Sequence, residues 1–130
     1  MITEKRKLLQ LVAAVLLAVM LLTACASGAS KAADKIELGQ KYLTELNYTE
    51  AVASFTEAIR LDPDNIQAYM GRAEAYLALG EYEKALEDYR FVSQKTEEMP
   101  YTRAISYMGQ AEVYEKIDCL LRCVNEKTSG

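Results

Sequence analysis

The chain of 130 residues contains no His and no Trp, and only two Pro and three Cys. Without His, the Ser–His and Cys–His nucleophile pairs and the HExxH zinc motif are excluded, and no Gly-rich phosphate loop is present either. We therefore predict that the protein is not an enzyme, with no catalytic residues, no metal site and no bound cofactor. The scarcity of Pro, beside abundant Ala, Leu, Tyr, Glu and Lys, favours helices.

Basic residues are also too few for a nucleic-acid partner. The chain has 15 Lys and Arg against 19 Asp and Glu, a net charge of −4, and residues 25–130 alone carry 12 against 18, a net charge of −6. Phosphate binding needs a basic stripe on the surface. The balance indicates a solvated acidic surface and argues against a domain that lies flat on an anionic bilayer.

The N-terminal segment has the layout of an export signal. Residues 1–7 are short and basic, and residues 8–22 form an apolar run interrupted only by Gln10. That length is typical of a signal-peptide core and is short for a bilayer span of about 20 residues. The basic residues favour the cytoplasmic side, so the rest of the chain is predicted to lie outside the cytoplasm.

The residues that follow this run, Leu22, Thr23, Ala24 and Cys25, resemble the lipobox of bacterial lipoproteins. The resemblance implies that residues 1–24 are a cleaved signal peptide and that Cys25 receives a diacylglycerol. The two acyl chains of this group would anchor the protein stably, where a single chain would not. The expected location is the extracytoplasmic side of the cell membrane or the outer membrane. Residues 25–33, rich in Ala, Ser and Gly, would form a flexible tether.

Two alternatives to lipidation stay open from the same residues. Ala24-Cys25-Ala26 also fits the A-x-A pattern of ordinary signal cleavage, which would release a soluble secreted protein. Alternatively, residues 8–26 would remain as an uncleaved anchor.

The remainder of the chain repeats itself at a fixed spacing. At five positions of the first repeat, a residue of similar type recurs at the equivalent position of the second. The first-repeat residues are Tyr42, Tyr48, Ala51, Phe55 and Ala58, and their equivalents, in the same order, are Tyr76, Tyr82, Ala85, Tyr89 and Val92. Each pair of sequence numbers differs by 34. A fixed period in this range marks a stack of small supersecondary units. Such a stack presents a curved surface to a partner and rarely carries chemistry.

Apolar spacing predicts two helices in each repeat. They lie near residues 34–46 and 51–59 in the first repeat, and near 67–79 and 82–95 in the second. Asn47 with Glu50 forms a plausible capping box for the second helix. Pro63 ends that helix, Asp64 or Asn65 caps the next, and Gly80 separates the second pair.

This pattern is similar to the tetratricopeptide repeat family over about 85 residues. The first unit carries Leu38, Gly39, Tyr42, Ala51, Phe55, Ala58 and Pro63, and the second carries Ala73, Tyr76, Gly80, Ala85 and Tyr89. Two positions depart from the family pattern: Arg72 replaces an expected Leu, and Glu97 an expected Pro. We expect Gly39 and Ala73 at the points where two helices approach most closely. We expect the aromatic residues to fill the space between helix pairs.

A third, partial unit follows at an offset of 38. Residues 107–114 nearly copy residues 69–76, and the four extra residues predict a longer loop, or a lengthened helix end, near Met99 and Pro100. Asp118 is a possible N-cap of a short final helix that covers this unit. We therefore predict an all-α fold, a short α-solenoid of antiparallel helix pairs with a C-terminal capping helix. Its domain would be residues 34–127, with repeats at 32–65, 66–99 and, in part, 104–127.

The resemblance also implies a binding groove, because the first helix of each pair lines the concave side in this family. The corresponding residues here are Ile36, Gln40, Leu43, Gln67, Met70, Glu74, Ile105, Met108 and Glu112. Adaptable Met side chains suit varied apolar groups, and the two Glu favour a basic or neutral ligand. Alternatively, Ile36, Met70 and Met108 simply pack against neighbouring helices.

Cys119 and Cys123 lie close together in sequence near the C-terminus. Free or buried structural thiols are favoured over a disulfide within or between chains, since a regular helix points such side chains along its axis. Without His, a metal site lacks ligands.

Taken as a whole, the sequence predicts a membrane-tethered adaptor that docks a protein or peptide. The competing hypothesis is a structural subunit or spacer of an envelope complex, with contacts through the convex face, the open C-terminal end or self-association.

Overall fold

The computed structural model describes residues 2–128, and it describes side-chain surroundings for residues 6–19 and 30–127. These residues form helices and short turns, with no strand in the described range. The helices are α1 (Ile2–Thr44), α2 (Tyr48–Leu61), α3 (Ile66–Leu79), α4 (Tyr82–Lys95) and α5 (Pro100–Thr128). The predicted all-α class is confirmed, and the second-pair helices begin and end within one residue of their predicted bounds.

Consecutive helices pack against each other along the chain, as in a solenoid. α1 packs on α2, α2 on α3, α3 on α4 and α4 on α5, while α1 and α5 each also touch α3. The first helices of the three units are therefore neighbours. The connection of residues 96–99 is as long as that of residues 62–65, so the loop is not longer; the four extra residues instead lengthen the start of α5, the second of the two predicted alternatives. Pro100 suits the first helical position of α5 because its missing N–H would be unsatisfied anyway.

Two buried clusters hold the stack together, each centred on one aromatic side chain. The first joins α1, α2 and α3 and contains Ile36, Ala51, Phe55, Ala58, Ala68 and Ala75. The second joins α3, α4 and α5 and contains Ala73, Ala85, Leu86, Tyr89 and Val113. Small Ala residues surround each ring because the helices approach closely there. This confirms the prediction that Phe55 and Tyr89 fill the space between helix pairs.

Glycine provides the closest approaches between helices. A Cβ at Gly71 would lie 2.3 Å from Cζ of Phe55, and one at Gly39 would lie 2.8 Å from the same ring. A Cβ at Gly109 would likewise lie 2.4 Å from Cζ of Tyr89. Gly39 was predicted from the sequence, whereas the tighter contacts at Gly71 and Gly109 were not.

The roles predicted for Asn65 and Gly80 at the helix ends are confirmed, but the one predicted for Asn47 is wrong. The Asn65 side chain accepts a hydrogen bond from the Ala68 N–H at 3.2 Å and caps α3. Gly80 ends α3 in the left-handed conformation, with φ of 78°. The capping box expected at Asn47 is wrong, since its side chain makes no capping bond and its Nδ2 instead donates to Glu45.

The segment expected as a flexible tether is helical. Residues 25–33 lie inside α1, which continues without interruption to Thr44. Ala is the best helix former, and this stretch contains four Ala and no Pro, so nothing stops a helix that has already begun on either side. Ala32 is fully buried, so packing begins before residue 34.

The C-terminal helix exists, but it is not a separate cap. α5 runs through Asp118, where a new helix was predicted to start, and ends at Thr128. No Gly or Pro interrupts residues 110–128, so the first helix of the third unit simply continues. Cys119 and Cys123 are exposed free thiols on its last turns.

The apolar run of α1 has exposed side chains, with Leu9 72% exposed and Val12 49% exposed. Within the described part of the chain, no helix combines the length and apolarity that a bilayer crossing requires.

Candidate functional site: a groove along the first helices

An open groove of about 1420 Å³ runs across the first helices of the three units. α1, α3 and α5 line it because they neighbour one another on the same side of the stack. α2 and α4 pack behind them. The groove therefore belongs to the stacking itself, since a single helix pair would not form it.

Eight of the nine residues predicted from the sequence lie along this groove. They are Gln40, Leu43, Gln67, Met70, Glu74, Ile105, Met108 and Glu112. The exception is Ile36, which is 6% exposed and belongs to the first buried cluster. The equivalent residues of the later units are Met70, which is half-buried, and Met108, which is 71% exposed. The branched Ile side chain packs into the core, whereas the Met side chains are accessible from the groove.

Two glycines of the groove lining each pack against an aromatic ring. Gly71 and Gly109 both line the groove, and Tyr89 lies beneath Gly109 and forms part of the lining. A side chain at either glycine would collide with the ring behind it. The two glycines therefore let the rings of Phe55 and Tyr89 pack directly against the helix backbone that lines the groove.

The groove carries an excess of negative charge. Its lining includes three exposed carboxylates, Glu74, Glu112 and Glu115, and one exposed ammonium, Lys116. Burial raises the pKa of Tyr89 to about 12, and the charges of Glu74 and Glu112 push it in the same direction. The Tyr89 hydroxyl thus stays protonated at neutral pH, in a region of negative potential between α3 and α5.

A buried ion pair fixes α3 against α4 behind the groove. Arg72 donates from Nε and Nη2 to the two carboxylate oxygens of Asp88, each at 2.8 Å, and from Nη1 to Thr56 Oγ1 at 3.3 Å. The Asp88 carboxylate raises the pKa of Arg72 through these bonds. Arg72 also lies over the rings of Tyr69 and Tyr76. The Arg that departs from the repeat pattern is therefore a cross-link between the helices.

Sequence reasoning missed several groove residues. Gly71 and Gly109 carried a readable signal, because Gly in a helix interior is less favourable than Ala by about 0.5–1 kcal/mol and needs a packing reason. The two glycines occupy equivalent positions of the second and third units, which repeats that signal. Tyr82, Glu115 and Lys116 also line the groove. The positions of the last two depend on the length of α5, which the sequence did not reveal.

Cys25, the predicted lipidation residue, lies on α1 but outside the residues whose side chains the structure describes. Within the described residues, no three acidic or Cys side chains are grouped so that they could hold a metal ion.

Comparison with known proteins supports the repeat pattern over part of the chain. A family model described as tetratricopeptide repeat matches residues 36–90, which form α2, α3 and parts of α1 and α4. The match supports the resemblance that the sequence predicted, over the part of the chain that forms most of the groove.

Several proteins are similar to part of this chain. DnaJ homolog subfamily C member 7 homolog of Schizosaccharomyces pombe is 34% identical over 89 residues, 61% of this chain and 19% of the relative. Small glutamine-rich tetratricopeptide repeat-containing protein beta of Homo sapiens is 44% identical over 50 residues, 38% of this chain and 16% of the relative. Hsp70-Hsp90 organizing protein 3 of Arabidopsis thaliana is 31% identical over 87 residues, 65% of this chain and 15% of the relative. The chain thus spans less than a fifth of each.

Proposed function

We propose that this protein is a membrane-anchored adaptor whose groove docks a segment of another protein on the extracytoplasmic side. The observation that carries the proposal is the groove itself, in which accessible Met side chains and backbone at Gly71 and Gly109 lie beside three carboxylates. Ligand-binding pockets combine apolar contact with a few polar groups that fix orientation. Similarity to a protein named Hsp70-Hsp90 organizing protein 3 supports protein binding over catalysis.

The charge of the groove narrows the class of ligand. Glu74, Glu112 and Glu115 favour a segment that carries Lys or Arg beside apolar residues, because complementary potentials attract the ligand and orient it. A free C-terminal carboxylate is disfavoured. The Lys, Arg and Asn clamp of chaperone-binding family members is absent, and Gln40, Gly71 and Glu74 stand in its place.

The adaptor would bind weakly as a single copy. Two and a half repeats form a shallow, open groove, and such a surface buries less of a ligand than a longer solenoid does. Attachment to a membrane offsets this weakness, since a tethered protein meets a tethered partner at high effective concentration.

Lipidation of Cys25 would provide the attachment. The support is the sequence of residues 22–25 directly after an apolar run of signal-peptide length. Mass spectrometry of the exported protein tests it: we expect a chain that begins at Cys25 and carries acyl groups. Recovery of a soluble product with unmodified Cys25, or of a chain with residues 1–24 still attached, would contradict a lipid anchor at Cys25.

The groove is tested by capture from membranes with a double variant, Met70→Glu and Met108→Glu. The added carboxylates do not repel a basic segment, but they remove its apolar contact, so partners that use the groove should be lost. Met99→Glu is the matched control, since Met99 is exposed in the loop before α5 and lies off the groove. Retention of every partner by the double variant would exclude the groove as the docking surface.

A second candidate function is a structural subunit of an envelope complex that contacts its neighbours through the C-terminal end. The observation that favours it is the exposure of large apolar side chains on α5. Tyr107, Tyr114, Leu120 and Leu121 are each at least half exposed there.

A further inference from the structure

One residue of the groove lining carries a polar atom that the fold leaves without a partner. Tyr89 is 7% exposed and belongs to the lining. Its Cζ, the ring carbon that bears the hydroxyl, packs so closely on Gly109 that a Cβ there would lie 2.4 Å away. Among the described residues, the Tyr89 hydroxyl has no hydrogen-bond partner. Nearly buried polar groups normally have one, so this hydroxyl points to a ligand in the groove.

Two carboxylates lie near this hydroxyl, one on each neighbouring first helix. Glu74 on α3 and Glu112 on α5 occupy equivalent positions of the second and third units, and both line the groove. Burial and then the charges of these two carboxylates raise the pKa of Tyr89, as expected if both lie close to its hydroxyl. Neither forms an ion pair among the described residues, although Lys116 also lines the groove. The hydroxyl and the two carboxylates thus form a set of three oxygen acceptors.

The junction between the first and second units lacks this set of groups. Phe55 stands at the position equivalent to Tyr89 and has no hydroxyl, and Gln40 stands at the position equivalent to the two Glu. The aromatic packing is nevertheless the same, since a Cβ at Gly71 would lie 2.3 Å from Cζ of Phe55. Packing between units therefore does not require the hydroxyl, which favours a role in binding for the one at Tyr89.

We propose that Glu74, Glu112 and Tyr89 together bind one cationic side chain, Lys or Arg, of the docked segment, a site that rests on the docking function proposed above. The N–H groups of that cation donate to the two carboxylates and to the hydroxyl oxygen. Lys and Arg side chains carry several donors and no acceptor, so one of them satisfies three oxygen acceptors at once. The hydroxyl proton of Tyr89 stays free to donate to a backbone carbonyl of the segment.

The site also indicates where an apolar residue of the segment lies. In both units a Met of the groove lining stands one helical turn before the Glu: Met70 before Glu74, and Met108 before Glu112. Four residues of helix span about 6 Å. In an extended peptide, side chains two positions apart point to the same side and lie about 6.4–6.8 Å apart. We therefore expect the segment to carry an apolar residue two positions from its Lys or Arg.

NMR of the full-length chain in detergent micelles tests the site, with isotope labels at Cζ of Tyr and at the methyl group of Met. The probe is the peptide acetyl-Leu-Ala-Lys-Ala-Leu-amide, which has Leu two positions from Lys on either side. We expect saturable shifts of the Tyr89 resonance, which Tyr89→Phe identifies, and of the Met70 and Met108 resonances. Norleucine in place of Lys removes the charge and should weaken binding about fivefold or more. Arg in place of Lys should preserve binding, and the ratio of the two affinities tells which cation the site prefers.

The two sets of resonances separate the cation site from docking in general. Shifts of Met70 and Met108 with all three peptides at equal affinity would leave docking in place and overturn the cation site. The absence of Met shifts with every peptide would contradict docking in the groove, and the cation site with it. The expected result is a Tyr89 shift with the Lys and Arg peptides that the norleucine peptide does not produce at the same concentration.

Matched variants test whether the carboxylates act locally. Glu74→Gln with Glu112→Gln should weaken binding of the Lys peptide about fivefold or more, because two exposed ionic contacts are lost. Glu83→Gln with Glu87→Gln removes the same charge from exposed positions of α4 that lie off the groove, so binding should stay within about twofold of wild type. Equal losses in the two double variants would show a general effect of net charge and overturn the site.

The hydroxyl is tested by Tyr89→Phe, which should fold because Phe55 fills the equivalent position of the first unit. Loss of one hydrogen bond to a charged group should weaken binding of the Lys peptide about threefold or more, as measured from the Met resonances. The norleucine peptide should bind the wild type and the variant alike. An unchanged affinity of Tyr89→Phe for the Lys peptide would overturn the proposed site.

Discussion

Phe55 packs directly on the backbone of Gly71, so closely that a Cβ at position 71 would lie 2.3 Å from its ring Cζ. This contact joins α2 of one unit to α3 of the next, at the floor of the groove. The same relationship recurs between Tyr89 and Gly109 in the following unit. The spacing of the units therefore depends on the absence of one methyl group at each junction.

Gly71→Ala should destabilise the protein by about 1–3 kcal/mol, because the ring must move in a closely packed core. The sign is diagnostic, since Gly→Ala at an unconstrained helix position stabilises by about 0.5–1 kcal/mol. Urea unfolding measures the change. In a Phe55→Leu background the smaller side chain should remove most of the penalty, and equal penalties in both backgrounds would refute the contact.

Leu46→Gly should stabilise the protein, although replacing Leu by Gly normally does the opposite. Leu46 has φ of 60° and is 69% exposed, so it carries backbone strain and gains little burial. Relief of a left-handed residue is worth about 1 kcal/mol. Leu79→Gly is the control and should be destabilising, because Leu79 is exposed at the end of α3 in helical conformation. A melting temperature lower than that of the wild type would show that Leu46 does not carry this backbone strain.

Arg72→Leu restores the residue that the repeat pattern expects and should nevertheless destabilise the fold by about 3–5 kcal/mol. It leaves the Asp88 carboxylate, 7% exposed, without its bidentate partner. The double variant Arg72→Leu, Asp88→Leu should recover much of that loss, because burying two apolar side chains avoids the desolvation of charge. Additive losses in chemical unfolding would show that the pair is not coupled.

Alkaline pH should destabilise the fold through Tyr89. Its pKa is raised to about 12 by burial and by neighbouring carboxylates, so its protonated form stabilises the native state below pH 10. That contribution, at most about 2–3 kcal/mol, is lost as pH rises from about 10 to about 12. The difference in unfolding free energy between wild type and Tyr89→Phe isolates it. A difference that does not change across this range would contradict the raised pKa.

Much of the fold was readable from local sequence. Three residue types mark helix ends in this chain. Asn65 is an N-cap, Gly80 ends a helix, and Pro100 begins one, and each residue type is favoured in that role. The regular repeat period placed the two second-unit helices almost to the residue. These signals are local in sequence, so tertiary context does not override them.

The structure differs from the prediction where tertiary packing or the continuation of a helix determines the conformation. Ile36 fits the groove by register, but its side chain is buried with Phe55 in the first cluster. Asp118 is an acceptable N-cap by type, yet no turn forms because the residues after it bury no aromatic side chain. Residues 25–33 suggested a tether by composition, while their Ala content allows α1 to continue. The periodic pattern of apolar residues does not by itself predict any of these three features.

The account as a whole is tested most directly by site-specific photo-crosslinking in intact cells that produce the protein. A photoreactive residue at Gln67, which lines the groove, is compared with one at Glu87, exposed on α4 away from it. We expect a crosslinked partner protein from position 67 and none from position 87. Partners trapped only from position 87, or none from position 67, would contradict an adaptor that docks its partner in the groove.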